Sequence, residues 1–430
     1  MAYHPRENWD PARRRRLQSR REFLKQAAAL GIALPGLGAI LAACGDDSPG
    51  SAISLPIGTP DSPVTQPLSD ANAAIASGLD AEAGPLRVYN WAEYINPDVI
   101  PLAEEAIGAS IEVTTFFNLE ESIQKLASGE VQFDVWFPTG NYISKAVAGE
   151  LVQPLNHEYL PNLAANVWPA LADPFYDGGS LYSVPYTVYQ TGIGWRIDQV
   201  DDEDVLGLEN PWDVFWNPKY KSITGLYDDF QETLTMAMFR NGVADPTNAG
   251  QNDIDAAADS LAELVDLMNI RYTIDGAYAG IPENRFGLHH AWSGDMIGSQ
   301  YYYPEDQDPS VGRYAWPAKI DGSTAKGNIA NDCMAVLKGA ANPVLAHRFL
   351  DYLLDNDAAL ENFGWLGYQP PITSIDPDTL VADEWVLPDM GPAIVREDDF
   401  ANPQGYVPTQ LSPETEQAWN GAWSRAKGTA

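Results

Sequence analysis

Three short stretches of the chain bring aromatic rings and carboxylates together, and a fourth adds a further ring. Trp91-Ala92-Glu93-Tyr94 places an indole, an acid and a phenol within four residues, and Trp292-Ser293-Gly294-Asp295 repeats the theme. Asp229 and Glu232 are three apart behind Asp228, so a helix starting there presents both on one face. Tyr368 follows Gly367. Such a set suits a linear alkyl amine carrying separated ammonium groups. Indole and phenol faces cover its methylenes and attract its cations, by about 0.5–2 kcal/mol per ring. A carboxylate must meet each ammonium taken out of water, because an unpaired buried charge is costly. Each stretch has a plainer reading as well. Asp229-x-x-Glu232 is also a helix-cap pattern, and Trp91, Tyr94, Trp292 and Tyr368 would each fit a core.

Catalysis finds little support. The sequence has no Gly-x-Ser-x-Gly elbow, no phosphate loop ending in Gly-Lys-Ser/Thr and no His-Glu-x-x-His pair. His289 and His290 are adjacent, so on a strand they point to opposite faces, which predicts one buried and one exposed ring instead of a metal pair. Asp201-Asp202-Glu203-Asp204 lacks the spaced ligands of a calcium loop and reads as a solvated acidic turn. Cys333 reads as a lone core thiol. No catalytic residue, metal or cofactor is expected.

The elements that must position these residues alternate. Leu86–Tyr89, Ile111–Thr114 and Phe133–Phe137 read as strands, with helices starting at Asn96-Pro97 and at Asn118, where Glu121 completes a capping pattern. Strand–helix repetition at this spacing predicts a parallel sheet, with ligands at the loops leaving the carboxyl ends of the strands. Those loops hold Trp91, Glu93, Tyr94, Thr139 and Asn141. A second α/β region follows Pro185, with strands at Thr191–Trp195 and Gly287–Trp292 and helices at Ile254–Met268 and Pro343–Leu354.

A chain of 430 residues is too long for one core. Its 60 acidic against 25 basic residues, a formal charge of −35, argue against nucleic-acid binding. The N-terminus reads as an address. Arg13–Arg16 and Arg20-Arg21 precede an apolar stretch from Ala27 to Ala43, and Ser19-Arg20-Arg21-Glu22-Phe23-Leu24-Lys25 matches a twin-arginine export pattern. Leu41-Ala42-Ala43-Cys44 reads as a lipobox, so residues 1–43 are expected to be a twin-arginine lipoprotein signal peptide and Cys44 the lipidated residue. Cleavage there would leave 17 basic and 57 acidic residues, a charge of −40. Residues 44–84, rich in Gly, Ser, Pro and Ala, are expected to be a flexible tether. The expected location is the periplasm or the outer face of the cytoplasmic membrane, with the chain anchored to the membrane by lipid.

From Leu86 to Lys427 the chain resembles the polyamine-binding (spermidine/putrescine) receptors of ABC importers. Asn90-Trp91-Ala92-Glu93-Tyr94 is similar to that family's first binding loop, and Thr139 stands where it has a small hydroxyl residue. Tyr182-Ser183-Val184-Pro185-Tyr186 resembles its segment leading to the hinge. Asp229 and Glu232 match a paired-acid position, Trp292 and Asp295 a Trp-x-Gly-Asp string, and Asp332 a further ammonium-binding acid. Tyr368 matches another wall of the box, and Gln410 falls near a C-terminal polar contact. Two positions depart from the pattern: Ala330 stands where the family offers Trp or Phe, and Asn141 replaces a frequent Tyr.

The resemblance implies a two-lobed α/β fold of the type II periplasmic-binding-protein kind, each lobe a mostly parallel sheet flanked by helices, with a ligand cleft between them. By analogy one lobe comprises residues 85–188 and 327–370, the other 189–326 and 371–430. It further implies a monomer that hands a polyamine to an ABC permease. Two other readings stay open: the same scaffold tuned to another organic cation, amino-acid derivative or sugar, and a surface hydrolase using two of the acids.

Overall fold

The computed structural model describes residues 56–428. The signal segment 1–43, Cys44 and the start of the expected tether lie outside the described residues. Strands β1 (Leu86–Trp91), β2 (Ile111–Phe116) and β3 (Val135–Trp136) form a parallel array in the order β2-β1-β3. Helices α1 (Val99–Ile107) and α2 (Leu119–Ser128) are its crossovers, followed by α3 (Ile143–Ala148). Helix α2 starts where its sequence says, with Asn118 Oδ1 accepting from the Glu121 amide at 3.0 Å.

The long strand β4 (Val184–Arg196) leads into a second parallel array, in which β5 (Thr224–Tyr227) lies between β6 (Arg271–Thr273) and β7 (Leu288–Trp292). Its helices are α4 (Phe230–Arg240), α5 (Gln251–Met268) and the short α6 (Ser293–Gly298). Strand β8 (Gly312–Ala315) pairs with β4, and β9 (Gly327–Val336) runs back to the first array. Helix α7 (Pro343–Leu353), the two-residue β10 (Gly405–Tyr406) and helix α8 (Pro413–Ala426) complete the set used below.

The two parallel arrays are not separate sheets. Strands β9 and β4 lie antiparallel between them and join everything into one ten-stranded sheet, ordered β2-β1-β3-β9-β4-β7-β5-β6. Strand β4 changes partner between Gln190, opposite Ile329, and Thr191, opposite Trp292. The strand expected at 191–195 is therefore the second half of a longer one that begins in the first lobe. The core does not divide as cleanly: one cluster around Leu234, Leu261 and Trp419 lies in the second lobe and one around Tyr89, Trp136 and Ile143 in the first, but the largest, which includes Val88, Val188, Tyr227 and Met296, runs through both.

Three expectations need correction. Residues 56–84 do not hang free: Gln66 is buried, donating to Ser144 Oγ and to the Tyr176 carbonyl at 2.7 Å each, and the Pro67 carbonyl accepts from Tyr182 Oη at 2.6 Å. The carboxylate of Glu82 accepts from the Val344 and Leu345 amides at the start of α7. A Pro- and Gly-rich composition lacks periodicity, yet it lets an extended strap satisfy its polar groups on a ready-made surface. Second, His289 and His290 are both fully buried, because β7 is an inner strand covered on both faces. Burial pushes their pKa values down to about 4 and about 3. Third, Ile372 bridges to Val167 and the Thr373 amide donates to the Asn166 carbonyl, so the chain at 371–373 still packs on the first lobe. No helix among the described residues is long and apolar enough to cross a membrane.

Candidate ligand-binding cavity

The loops at the carboxyl ends of both parallel arrays meet over β4 and β9 and enclose a cavity of about 190 Å³. Side chains at alternate positions of a strand share a face, so Asn328, Ala330 and Asp332 of β9 form its floor. Around them stand Trp91, Tyr94, Tyr189, Trp292 and Tyr368.

Tyr94 is fixed by its loop. Tyr186 Oη donates to the Tyr94 carbonyl at 2.7 Å, and the Tyr94 hydroxyl donates to Asp332 Oδ2 at 2.5 Å while standing 2.5 Å from Thr187 Oγ1. With its proton committed to the carboxylate, the Tyr94 oxygen accepts from Thr187. The other Asp332 oxygen, Oδ1, is buried with no partner among the described residues, and so is Trp91 Nε1. Both residues line the cavity.

The Trp-Ser-Gly-Asp turn builds the opposite wall. The Trp292 ring stacks on Tyr227 at 3.9 Å, and its Nε1 donates to Glu232 Oε1 at 3.0 Å. Asp295 accepts from Tyr368 Oη at 2.8 Å and from Tyr227 Oη at 2.7 Å. Gly294 makes this possible, because a Cβ there would lie 2.3 Å from the Tyr368 ring. Asp229 caps α4 through the Glu232 amide at 2.9 Å and also lines the cavity, so its two sequence readings are both true. Glu232 Oε2 accepts from Asn328 Nδ2 at 3.0 Å.

The lining is anionic. Glu93, Glu120 and Asp332 come from the first lobe, and Asp228, Asp229, Glu232 and Asp295 from the second, while no Lys, Arg or His is among the described residues that line it. Burial, then the charges of Glu232 and Glu120, pushes Asp229 up to about 8. Burial pushes Asp332 up to about 7 against the opposing hydrogen bond from Tyr94. Glu232 and Glu120 are raised too, by burial. No basic side chain among the described lining residues supplies Asp229 and Asp332 with the counter-charge that would let them ionise comfortably. No group of residues able to hold a metal ion occurs among the described residues.

Eleven of the twelve ligand-binding residues expected from sequence line this one cavity; Gln410 does not. Its Oε1 accepts from the Lys145 amide at 3.0 Å, beside the pair of Lys145 Nζ with Glu416 at 2.8 Å. Thr139 and Asn141 play a joining role: Thr139 Oγ1 donates to Asn141 Oδ1 at 2.6 Å, and Asn141 Nδ2 donates to Gln231 Oε1 of the other lobe at 3.1 Å. Sequence reasoning missed Glu120, which accepts from Tyr142 Oη, and Tyr189. Glu120 lies just past β2, where the sequence shows a helix start and no aromatic-plus-acid string of the kind seen in the other loops.

Comparison with known proteins bears on the same site. The spermidine/putrescine-binding periplasmic protein of Escherichia coli is 25% identical over 366 residues, covering 84% of this chain and 93% of its own. A putrescine/cadaverine-binding protein of Pseudomonas aeruginosa is 29% identical over 301 residues, covering 67% and 80%. A putative spermidine/putrescine ABC transporter structure from Listeria monocytogenes superimposes with a TM-score of 0.67 at 24% identity, covering 80% of this chain and 98% of that one. The fold is that of the type II periplasmic binding proteins. The family model for bacterial extracellular solute-binding proteins matches residues 101–389, about two thirds of the chain and both sides of the cavity, and to that family the chain belongs.

Proposed function

We propose that the protein is an extracytoplasmic receptor that takes a linear polyamine, of the putrescine or spermidine kind, into the cleft between its lobes and delivers it to an ABC permease. One observation carries this reading: seven carboxyl groups and many aromatic rings, Trp91, Tyr94, Tyr189, Trp292 and Tyr368 among them, converge on a cavity whose described lining holds no basic side chain. Anions packed this densely, with no cation among the lining residues, call for a ligand that brings several positive charges and an apolar body between them. The names of the E. coli and P. aeruginosa relatives support the same ligand class. Asp332 and Asp295, each oriented by tyrosine hydroxyls, meet ammonium groups, as do Asp229 and Glu232, while Trp91, Tyr94, Trp292 and Tyr368 cover methylenes. Glu93, Thr139 and Asn141 complete the rim. No covalent step is needed, so the protein is a carrier and not an enzyme, and lobe closure on the ligand is what the permease reads.

The reading includes export by the twin-arginine route, lipid attachment at Cys44 and function as a monomer on the outer face of the cytoplasmic membrane. Isothermal titration of the mature chain with putrescine and with spermidine tests the core of it. Saturable heat with at least one is expected, and heats of dilution alone for both would reject it. Mass spectrometry of the membrane-bound form tests the anchor, which requires a diacylglyceryl group on Cys44.

A further inference from the structure

Tyr189 of β4 lies directly opposite Ala330 of β9, and the next pair on the same face is Thr187 with Asp332. Opposed residues on antiparallel strands have Cβ atoms about 4.5–5.5 Å apart, so one large side chain covers a small partner. Ala330 offers only a methyl group. The Tyr189 ring stands over that position, edge-on to Trp292 with centroids 6.3 Å apart and to Tyr368 at 6.2 Å. It is the one ring that β4 or β9 contributes to the described lining.

Its hydroxyl differs from the others nearby. Tyr94, Tyr227 and Tyr368 each spend their proton on a carboxylate of the cavity. The Tyr189 hydroxyl bonds to no described residue. Its place is also central, because the floor strand carries Asp332 two residues to one side of Ala330 and, two residues to the other, Asn328, which holds Glu232. Burial and the surrounding charges of Asp332, Glu232 and Asp229 keep this phenol protonated, so it can accept one hydrogen bond and donate another.

We propose that Tyr189 sets which amines the cavity prefers: its ring walls the methylene chain above Ala330, and its hydroxyl accepts a hydrogen bond from an internal secondary ammonium. A triamine has such a group and a diamine does not, so the inference, which rests on the polyamine reading above, is that the site favours triamines. Titration calorimetry of the wild type, Tyr189→Phe and Tyr189→Ala with putrescine and spermidine tests it, with thermal unfolding as the check on folding. Tyr189→Phe should keep the putrescine Kd within about twofold and weaken spermidine about tenfold, the value of one lost hydrogen bond. Tyr189→Ala should weaken both by about tenfold or more through the lost wall. An unchanged ratio of the two Kd values in Tyr189→Phe overturns the proposal. If Tyr189→Ala unfolds, the phenylalanine variant alone decides. Wild-type protein that binds neither amine defeats the polyamine reading itself, a result separate from an unchanged ratio.

Discussion

Replacing Asp332 by asparagine tests the cavity at its most constrained carboxylate. The amide side chain keeps the shape of the acid and can still accept the Tyr94 hydroxyl through its oxygen, so the fold should survive. What disappears is the charge behind the unpartnered Oδ1. Removing one partner of a buried, hydrogen-bonded charge pair costs about 2–5 kcal/mol, or roughly 30- to 5,000-fold in Kd for an ammonium ligand. The pKa adds a second signature. Asp332 sits at about 7, so at pH 7 it is half protonated and must release about 0.5 proton when an ammonium arrives. Asp229, at about 8, must release about 0.9. Binding at pH 7 should thus expel about 1.4 protons, and Asp332→Asn should lower that by about 0.5. The wild-type Kd should rise about tenfold between pH 8 and pH 6 through Asp332 alone, and about 50-fold more through Asp229. Calorimetry in two buffers of different ionisation enthalpy counts the protons directly. A folded Asp332→Asn variant that binds within twofold of wild type at pH 8, or wild-type binding with no proton release, would refute the reasoning.

Asp295→Ala and Asp229→Ala should each weaken polyamine binding by about 2–5 kcal/mol, read by the same titration; unchanged affinity in both means the ligand does not lie between them. Gly294→Ala should drive the Tyr368 ring from its place and cost about 1–3 kcal/mol in unfolding free energy, measured by urea denaturation. The stability of the empty protein should fall between about pH 6.5 and 8.5. Asp332 and Asp229 have folded pKa values raised above their unfolded ones, so the native state holds more protons there and loses that advantage as pH rises through about 7 and about 8. His289 and His290 act oppositely, only below about 6.5, where the unfolded chain takes up protons that the buried rings refuse. A denaturation midpoint that climbs from pH 6.5 to 8.5 without ligand would contradict this.

The motifs that line the cavity were legible in the sequence because each sits in one short loop at the end of a parallel strand. Trp91 to Tyr94, Asp229 with Glu232 and Trp292 to Asp295 needed only that rule and a pattern of residue types. Tyr189 was not legible, because its orientation depends on the β4–β9 register, which no local pattern encodes. The buried histidine pair failed for a similar reason: alternation predicts opposite faces correctly, but not that both faces are covered. Gln410 rests on a loose resemblance in a region without periodicity, and its side-chain oxygen is taken by the Lys145 backbone amide, outside the cavity lining.

The strap of residues 56–84 changes how far the receptor can roam. A free leash from Cys44 to Gly84 would reach at most about 140 Å, but with the chain fastened from Pro56, whose carbonyl accepts from Ser144 Oγ at 2.8 Å, only about 40 Å remains. If Cys44 carries lipid and the lobes close on ligand as proposed, the first lobe is moored within that radius of the bilayer and the second is the one left to move. A receptor so closely berthed would meet its permease by lateral patrol along the surface, with little search through the bulk.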